Sequence, residues 1–113
     1  MNTKQIKKRV TSVSYDEDLH ESLKDPAEAF EYLKASFEDE DTRVFLLALS
    51  DVAKAQGGVS LLSKRSGLNR ESLYRILSVK GNPKLQSIDS ILHSLGMRLS
   101  VERLPDAGKR KAA

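Results

Sequence analysis

Apolar side chains recur at helical spacing in five successive segments of the chain, and residues that start or stop helices bound each segment. In the first segment Asp25 is predicted to be the N-cap, Pro26 suits the first helical position and Glu28 is predicted to complete a capping box. The pattern predicts four further helices, at 43–56, 59–66, 70–78 and 85–95.

Both ends of the chain depart from this helical period. Met97, Leu99 and Val101 alternate with polar residues, which is the spacing of a β-strand. Residues 1–24 have weak periodicity and are interpreted as a flexible N-terminal arm, and residues 104–113 as a disordered basic tail. The predicted fold class is therefore all-α, with a five-helix domain over residues 25–103 that ends in a short β-strand.

Composition and charge narrow the possible partners. The 113 residues fit one domain, and the absence of cysteine excludes disulfides and favours a cytoplasmic location. No apolar run approaches the about 20 residues that a membrane span needs. The net charge of +3 conceals a division: residues 16–41 hold eleven acids and two lysines, whereas residues 42–113 hold thirteen basic residues and five acids. The basic residues 42–113 suit a polyanionic partner, and the acidic residues 16–41 suit a basic one. The alternative is that both are ordinary solvated surfaces.

Patterns typical of enzymes are missing from the sequence. It contains no nucleophile elbow, phosphate loop or dinucleotide-binding fingerprint. The two histidines, His20 and His93, are far apart in sequence and no acidic or histidine grouping has metal-ligand spacing. We therefore predict a protein that is not an enzyme and has no metal or other cofactor.

Residues 59–78 have the pattern of a helix-turn-helix, in which two short helices are joined by a tight turn that often contains glycine. Gly67 suits that turn, and Ser63 is small enough to let the second helix cross the first closely. The apolar residues expected to pack the pair are Leu62, Leu68, Leu73 and Ile76. The alternative is a plain helical hairpin whose polar side faces water.

The polar side of the second helix carries groups suited to DNA. Arginine binds guanine through two hydrogen bonds, and glutamate accepts one from the amino group of cytosine. Arg70, Glu71 and Arg75 are the charged residues on that side. Groups placed to hold the phosphate backbone, which sets register without reading sequence, are Ser60, Asn69, Tyr74, Lys80 and Lys84.

Residues 58–78, GVSLLSKRSGLNRESLYRILS, resemble the Xre/Cro-type helix-turn-helix. Further segments resemble one branch of it, the HigA-type addiction-module antidotes: Asp25-Pro26, Tyr32-Leu33, residues 45–49, residues 81–83, and Leu95-Gly96 before Leu99. The resemblance covers residues 15–103, and Ser63 stands where the family usually has alanine.

This resemblance implies specific roles and partners. Arg70, Glu71 and Arg75 are implied to read bases, and Ser78 joins the phosphate contacts, whereas Tyr74 serves either DNA or packing. Members of the family typically neutralise a RelE/ParE-like toxin and repress their own operon as homodimers, so a palindromic operator is expected. The alternatives are a stand-alone Xre-type regulator without a toxin and a module that only binds protein.

Two contact surfaces are predicted on weaker grounds. The resemblance implies a basic, RNA-cleaving toxin and hence an acidic partner segment, so toxin binding is assigned to Glu28, Glu31 and Glu38, with a solvated helix as the alternative. A lone C-terminal strand would leave its backbone edge unpaired, so the dimer contact is assigned to the strand residues Met97, Leu99 and Val101.

Overall fold

A computed structural model describes residues 12–78 and 82–105, and this part of the chain forms six α-helices. The helices are α1 (Ser12–Ser22), α2 (Pro26–Phe37), α3 (Thr42–Ala55), α4 (Gly58–Ser66), α5 (Arg70–Ile76) and α6 (Leu85–Ser94). The predicted all-helical class is confirmed, but the predicted number of five helices is wrong.

The additional helix, α1, lies in the segment that was interpreted as a flexible arm. It packs against α3, with Leu19 half-buried and Leu23 only 1% exposed. Gln56, just after α3, donates from its side-chain amide to the carbonyl oxygens of Leu23 and Lys24, at 2.7 and 3.0 Å. These bonds tie the end of α1 to the end of α3. The arm's first eleven residues lie outside the described part of the chain.

The start of α2 confirms one predicted cap and corrects another. Asp25 is the N-cap, and its carboxylate accepts a hydrogen bond from the amide of Ala27 at 3.0 Å. The capping box does not form, because the amide of Asp25 donates to the carbonyl oxygen of Ser22 instead. The carboxylate of Glu28 accepts from the hydroxyl of that same serine, at 3.4 Å. The turn from α1 into α2 therefore replaces the expected box.

The core lies around α3, which contacts α1, α2 and α4. Its Leu49 and Val52 are fully buried, as is Ile91 of α6. The helical pattern of α6 would also turn Leu85 toward this core, but Leu85 is 73% exposed because it is the first residue of the helix. Burying such apolar side chains supplies the main favourable free energy of folding.

The break between α3 and α4 depends on two glycines. Gly57 and Gly58 have φ angles of 116° and 86°, in the left-handed region that disfavours residues with a Cβ atom. A Cβ on Gly57 would also collide with the side chain of Leu61. The helices bend by 100° here. Among the described residues no single helix is long and apolar enough to cross a membrane, and only α3 and α4 taken together reach that length.

The predicted C-terminal strand is not present in the described residues. Residues 97–104 run without a β-ladder, and the amide of Met97 donates to the carbonyl oxygen of Leu92, closing the end of α6. Alternating polarity produces a strand only where another strand supplies hydrogen bonds. Here Met97 and Leu99 pack half-buried against the helical core of their own chain, and Val101 is 95% exposed.

Candidate nucleic-acid interface

A hydrogen-bonded turn joins α4 to α5 and sets their relative placement. Gly67 takes the left-handed conformation, with φ of 81°, and its amide donates to the carbonyl oxygen of Ser63. The hydroxyl of Ser63 donates to the carbonyl oxygen of Leu68 at 2.6 Å, and the amide of Leu68 donates to the hydroxyl of Ser66 at 3.2 Å. Ser63 was predicted to act only through its small size, so the sequence reasoning missed this bond.

The apolar side of α5 anchors it to the rest of the fold. Leu73 is fully buried, Ile76 is 8% exposed, and Leu62 of α4 is 4% exposed. Leu68, in the turn, is half-buried against the same core. These are the four packing residues predicted for the helix pair, and their burial turns the other side of α5 to the solvent.

That outer side presents the residues predicted to read bases. Arg70, Glu71 and Arg75 are all exposed on this short helix. Arg75 donates a long hydrogen bond, 3.4 Å, to the hydroxyl of Ser72 one turn earlier. Tyr74 is 60% exposed, so most of its ring lies outside the core. Two arginines and a phenol on one projecting helix form a surface that can donate hydrogen bonds to bases and phosphates.

The predicted phosphate contacts are distributed around this helix. Asn69 is the N-cap of α5, and its side-chain oxygen accepts from the amide of Ser72 at 2.7 Å. Only the NH₂ end of Asn69 therefore remains suited to donate to a phosphate. Ser60 and Lys84 are exposed on α4 and just before α6, whereas Ser78 is half-buried beyond the end of α5. Lys80 lies outside the described residues.

Two further cations flank the turn. Lys64 and Arg65 lie in the last turn of α4 and are both exposed. They were not among the predicted contacts, although their position just before Gly67 was a usable signal. With Arg70 and Arg75 they give the α4–α5 pair four cations against the single acid Glu71. This excess of positive charge favours a polyanionic ligand.

The residues assigned to toxin binding do not form one cluster. Glu28 and Glu31 are exposed one turn apart on α2, but Glu38 caps the far end of the helix. Ten residues of helix separate Glu28 from Glu38 by about 15 Å. Within residues 12–78 and 82–105, no group of three or more acidic, histidine or cysteine side chains is placed to hold a metal ion.

The residues assigned to dimer contact divide between two environments. Met97 and Leu99 line a groove of about 200 Å³ against α2 and α3. In this groove the rings of Phe37 and Phe45 meet edge to face, with centroids 4.9 Å apart. Val101, by contrast, projects into solvent.

Comparisons with known proteins place the chain in a family. A family model described as "probable addiction module antidote protein" matches residues 14–103. A Haemophilus influenzae protein, described as uncharacterized, is 30% identical over 88 residues, which cover 78% of this chain and 90% of that relative. No solved structure matches.

Proposed function

This chain belongs to the family of probable addiction module antidote proteins, and from that premise we propose that it is the DNA-binding antitoxin of a toxin–antitoxin module. Such a family is generally non-enzymatic and implies a cognate toxin as partner. In the proposed function the chain neutralises a RelE/ParE-like toxin and, as a homodimer, binds a palindromic operator and represses its own operon. This is the HigA-type arrangement of the Xre/Cro class.

The observation that carries DNA binding is the projecting helix α5 with its cationic outer side. Buried Leu73 and Ile76 hold the helix by one side, and Arg70 and Arg75 project from the other. Two hydrogen bonds, from the amide of Gly67 to Ser63 and from the hydroxyl of Ser63 to Leu68, join α5 to α4 through the turn. A rigid helix with arginines on its outer side suits the major groove of DNA.

A mobility-shift titration on the protein's own promoter tests this. Affinity is expected to fall steeply as salt rises, because each phosphate contact releases counterions. Arg75→Ala is expected to cost about 1–3 kcal/mol of binding free energy if it reads a base. Arg43→Ala is the matched control, since Arg43 is exposed at the start of α3 and pairs with Asp41. No specific binding at low salt, or equal losses in both variants, would contradict DNA reading by α5.

Toxin neutralisation is tested by co-expression with the product of the adjacent reading frame. The wild-type chain is expected to co-purify with that product and to restore growth of cells that express it. The variant Arg70→Ala/Arg75→Ala is expected to retain both properties, because its changes lie on the DNA side of the fold. If the neighbouring product neither binds nor is silenced, the antidote function is contradicted.

A further inference from the structure

A cleft of about 830 Å³ lies on the surface formed by α1, α2 and α3. Its lining combines apolar and acidic side chains. Leu19 of α1 and Leu47 of α3 supply the apolar surface, and Leu47 is 52% exposed. Asp16 and Asp51 bring carboxylates to the same cleft from two different helices. We propose that this cleft is the docking site for a basic amphipathic segment of the cognate toxin, an inference that rests on the proposed antidote function.

The acidic wall is positioned by the fold. The hydroxyl of Tyr32 donates to the carboxylate of Asp51 at 2.8 Å, which holds that group at the half-buried edge of the cleft. A carboxylate has about four acceptor positions, so Asp51 can accept from a partner's ammonium or guanidinium while keeping this bond. A toxin segment that places a cation beside Asp51 and an apolar side chain against Leu19 and Leu47 complements both the acidic and the apolar parts of the cleft.

Charge determines which kind of partner fits. Helix α1 carries four acids, Asp16, Glu17, Asp18 and Glu21, and no lysine or arginine. The lining of the cleft itself carries two carboxylates, those of Asp16 and Asp51, and one lysine, the exposed Lys54, beside the imidazole of His20. Acids therefore outnumber lysines in the lining, and Glu17, Asp18 and Glu21 add negative charge on the same helix as Asp16, offset in part by the pairing of Glu21 with Lys24 at 3.1 Å. This balance disfavours a nucleic acid and favours a basic protein segment. The DNA-reading surface proposed on α5 belongs to a different helix pair, so one chain can hold both partners.

Two substitutions with matched controls test the cleft by isothermal titration with the purified product of the adjacent reading frame. Leu47→Arg places in the cleft a positive charge, which repels the basic toxin segment. Leu104→Arg makes the same change at a residue outside the cleft that is also 52% exposed. Asp51→Asn removes a carboxylate but keeps an acceptor for Tyr32, and Glu40→Gln removes an exposed acid outside the cleft. Both cleft variants are expected to bind at least about tenfold more weakly, and both controls like wild type.

The possible results distinguish a failure of the proposed docking site from a failure of the proposed antidote function. Circular dichroism and operator binding of each variant verify that the fold is intact. If both cleft variants bind the neighbouring product as tightly as wild type does, the cleft is not the docking site although the antidote function stands. A loss shared equally by the controls also overturns the assignment, since it indicates only long-range charge. If wild type does not bind the product, the antidote function fails and the cleft assignment fails with it.

Discussion

Replacing Ser63 by alanine is expected to destabilise the fold even though the resembling family usually has alanine there. The hydroxyl of Ser63 donates to the carbonyl oxygen of Leu68 at 2.6 Å, and both residues are half-buried. Losing such a bond costs about 1–1.5 kcal/mol of unfolding free energy. Alanine's better helix propensity returns about 0.5 kcal/mol. The net loss is therefore about 0.5–1 kcal/mol, or a fall in Tm of about 2–6 °C in a domain of this size.

Thermal and urea unfolding of Ser63→Ala beside Ser60→Ala measures this contribution. Ser60 is exposed on the same helix, so its replacement changes propensity without removing a bond across the turn. The free energies of unfolding of the two variants are expected to differ by about 1–1.5 kcal/mol, with Ser63→Ala the less stable. If Ser63→Ala is as stable as Ser60→Ala, the hydroxyl does not hold the turn and the reasoning is refuted.

Three further outcomes are expected. Burial, the main cause, and the hydrogen bond to Asp51, the second, raise the pKa of Tyr32 well above its ordinary value. The stability that this group contributes is therefore present below about pH 10 and is lost at higher pH. The variant Tyr32→Phe should flatten that alkaline decline in unfolding free energy and should cost about 1 kcal/mol at neutral pH. Hydrogen bonds from the side chain and the amide of Arg43 lower the pKa of Asp41 from 3.8 to about 2. The stability that this pair contributes is therefore present above pH 3.8 and is lost as the pH falls through about 2. In an NMR titration, Arg43→Ala should raise the pKa of Asp41 only partway to its ordinary value, because the backbone amide still donates. Sedimentation should detect a wild-type dimer that Val101→Asp weakens, and a monomer at tens of micromolar (about 10–100 μM) would contradict pairing through the C-terminal segment.

Local signals in the sequence predicted the capped helices well. Asp25 was predicted as an N-cap, and the starts of the next helices follow the same rule: the side chains of Asp25, Asp41 and Asn69 each accept from an amide two or three residues later, so short-range chemistry defines those helix starts. The outer side of α5 was predicted for the same reason, because helical spacing places exposed Arg75, two residues after buried Leu73, on the opposite side of the helix.

Features that depend on tertiary packing were missed. Tyr15, Leu19 and Leu23 recur at four-residue spacing, which was the signal for α1, but the acids between them masked it. The cleft needs three helices in their final places, which no local pattern encodes. The same limit explains the C-terminal error: Met97 and Leu99 alternate as in a strand, yet the helical core buries them without any ladder.

The central claim is that one chain binds the toxin and the operator on separate surfaces. The most direct test adds the product of the adjacent reading frame to a preformed complex of the chain with its promoter DNA. A mobility-shift gel at low salt is expected to show a second, slower band that contains both proteins and the DNA. The variant Leu47→Arg is expected to give the DNA complex without the slower band. Release of the DNA on addition of the neighbouring product, or failure of the wild-type chain to shift its promoter at all, would contradict the claim.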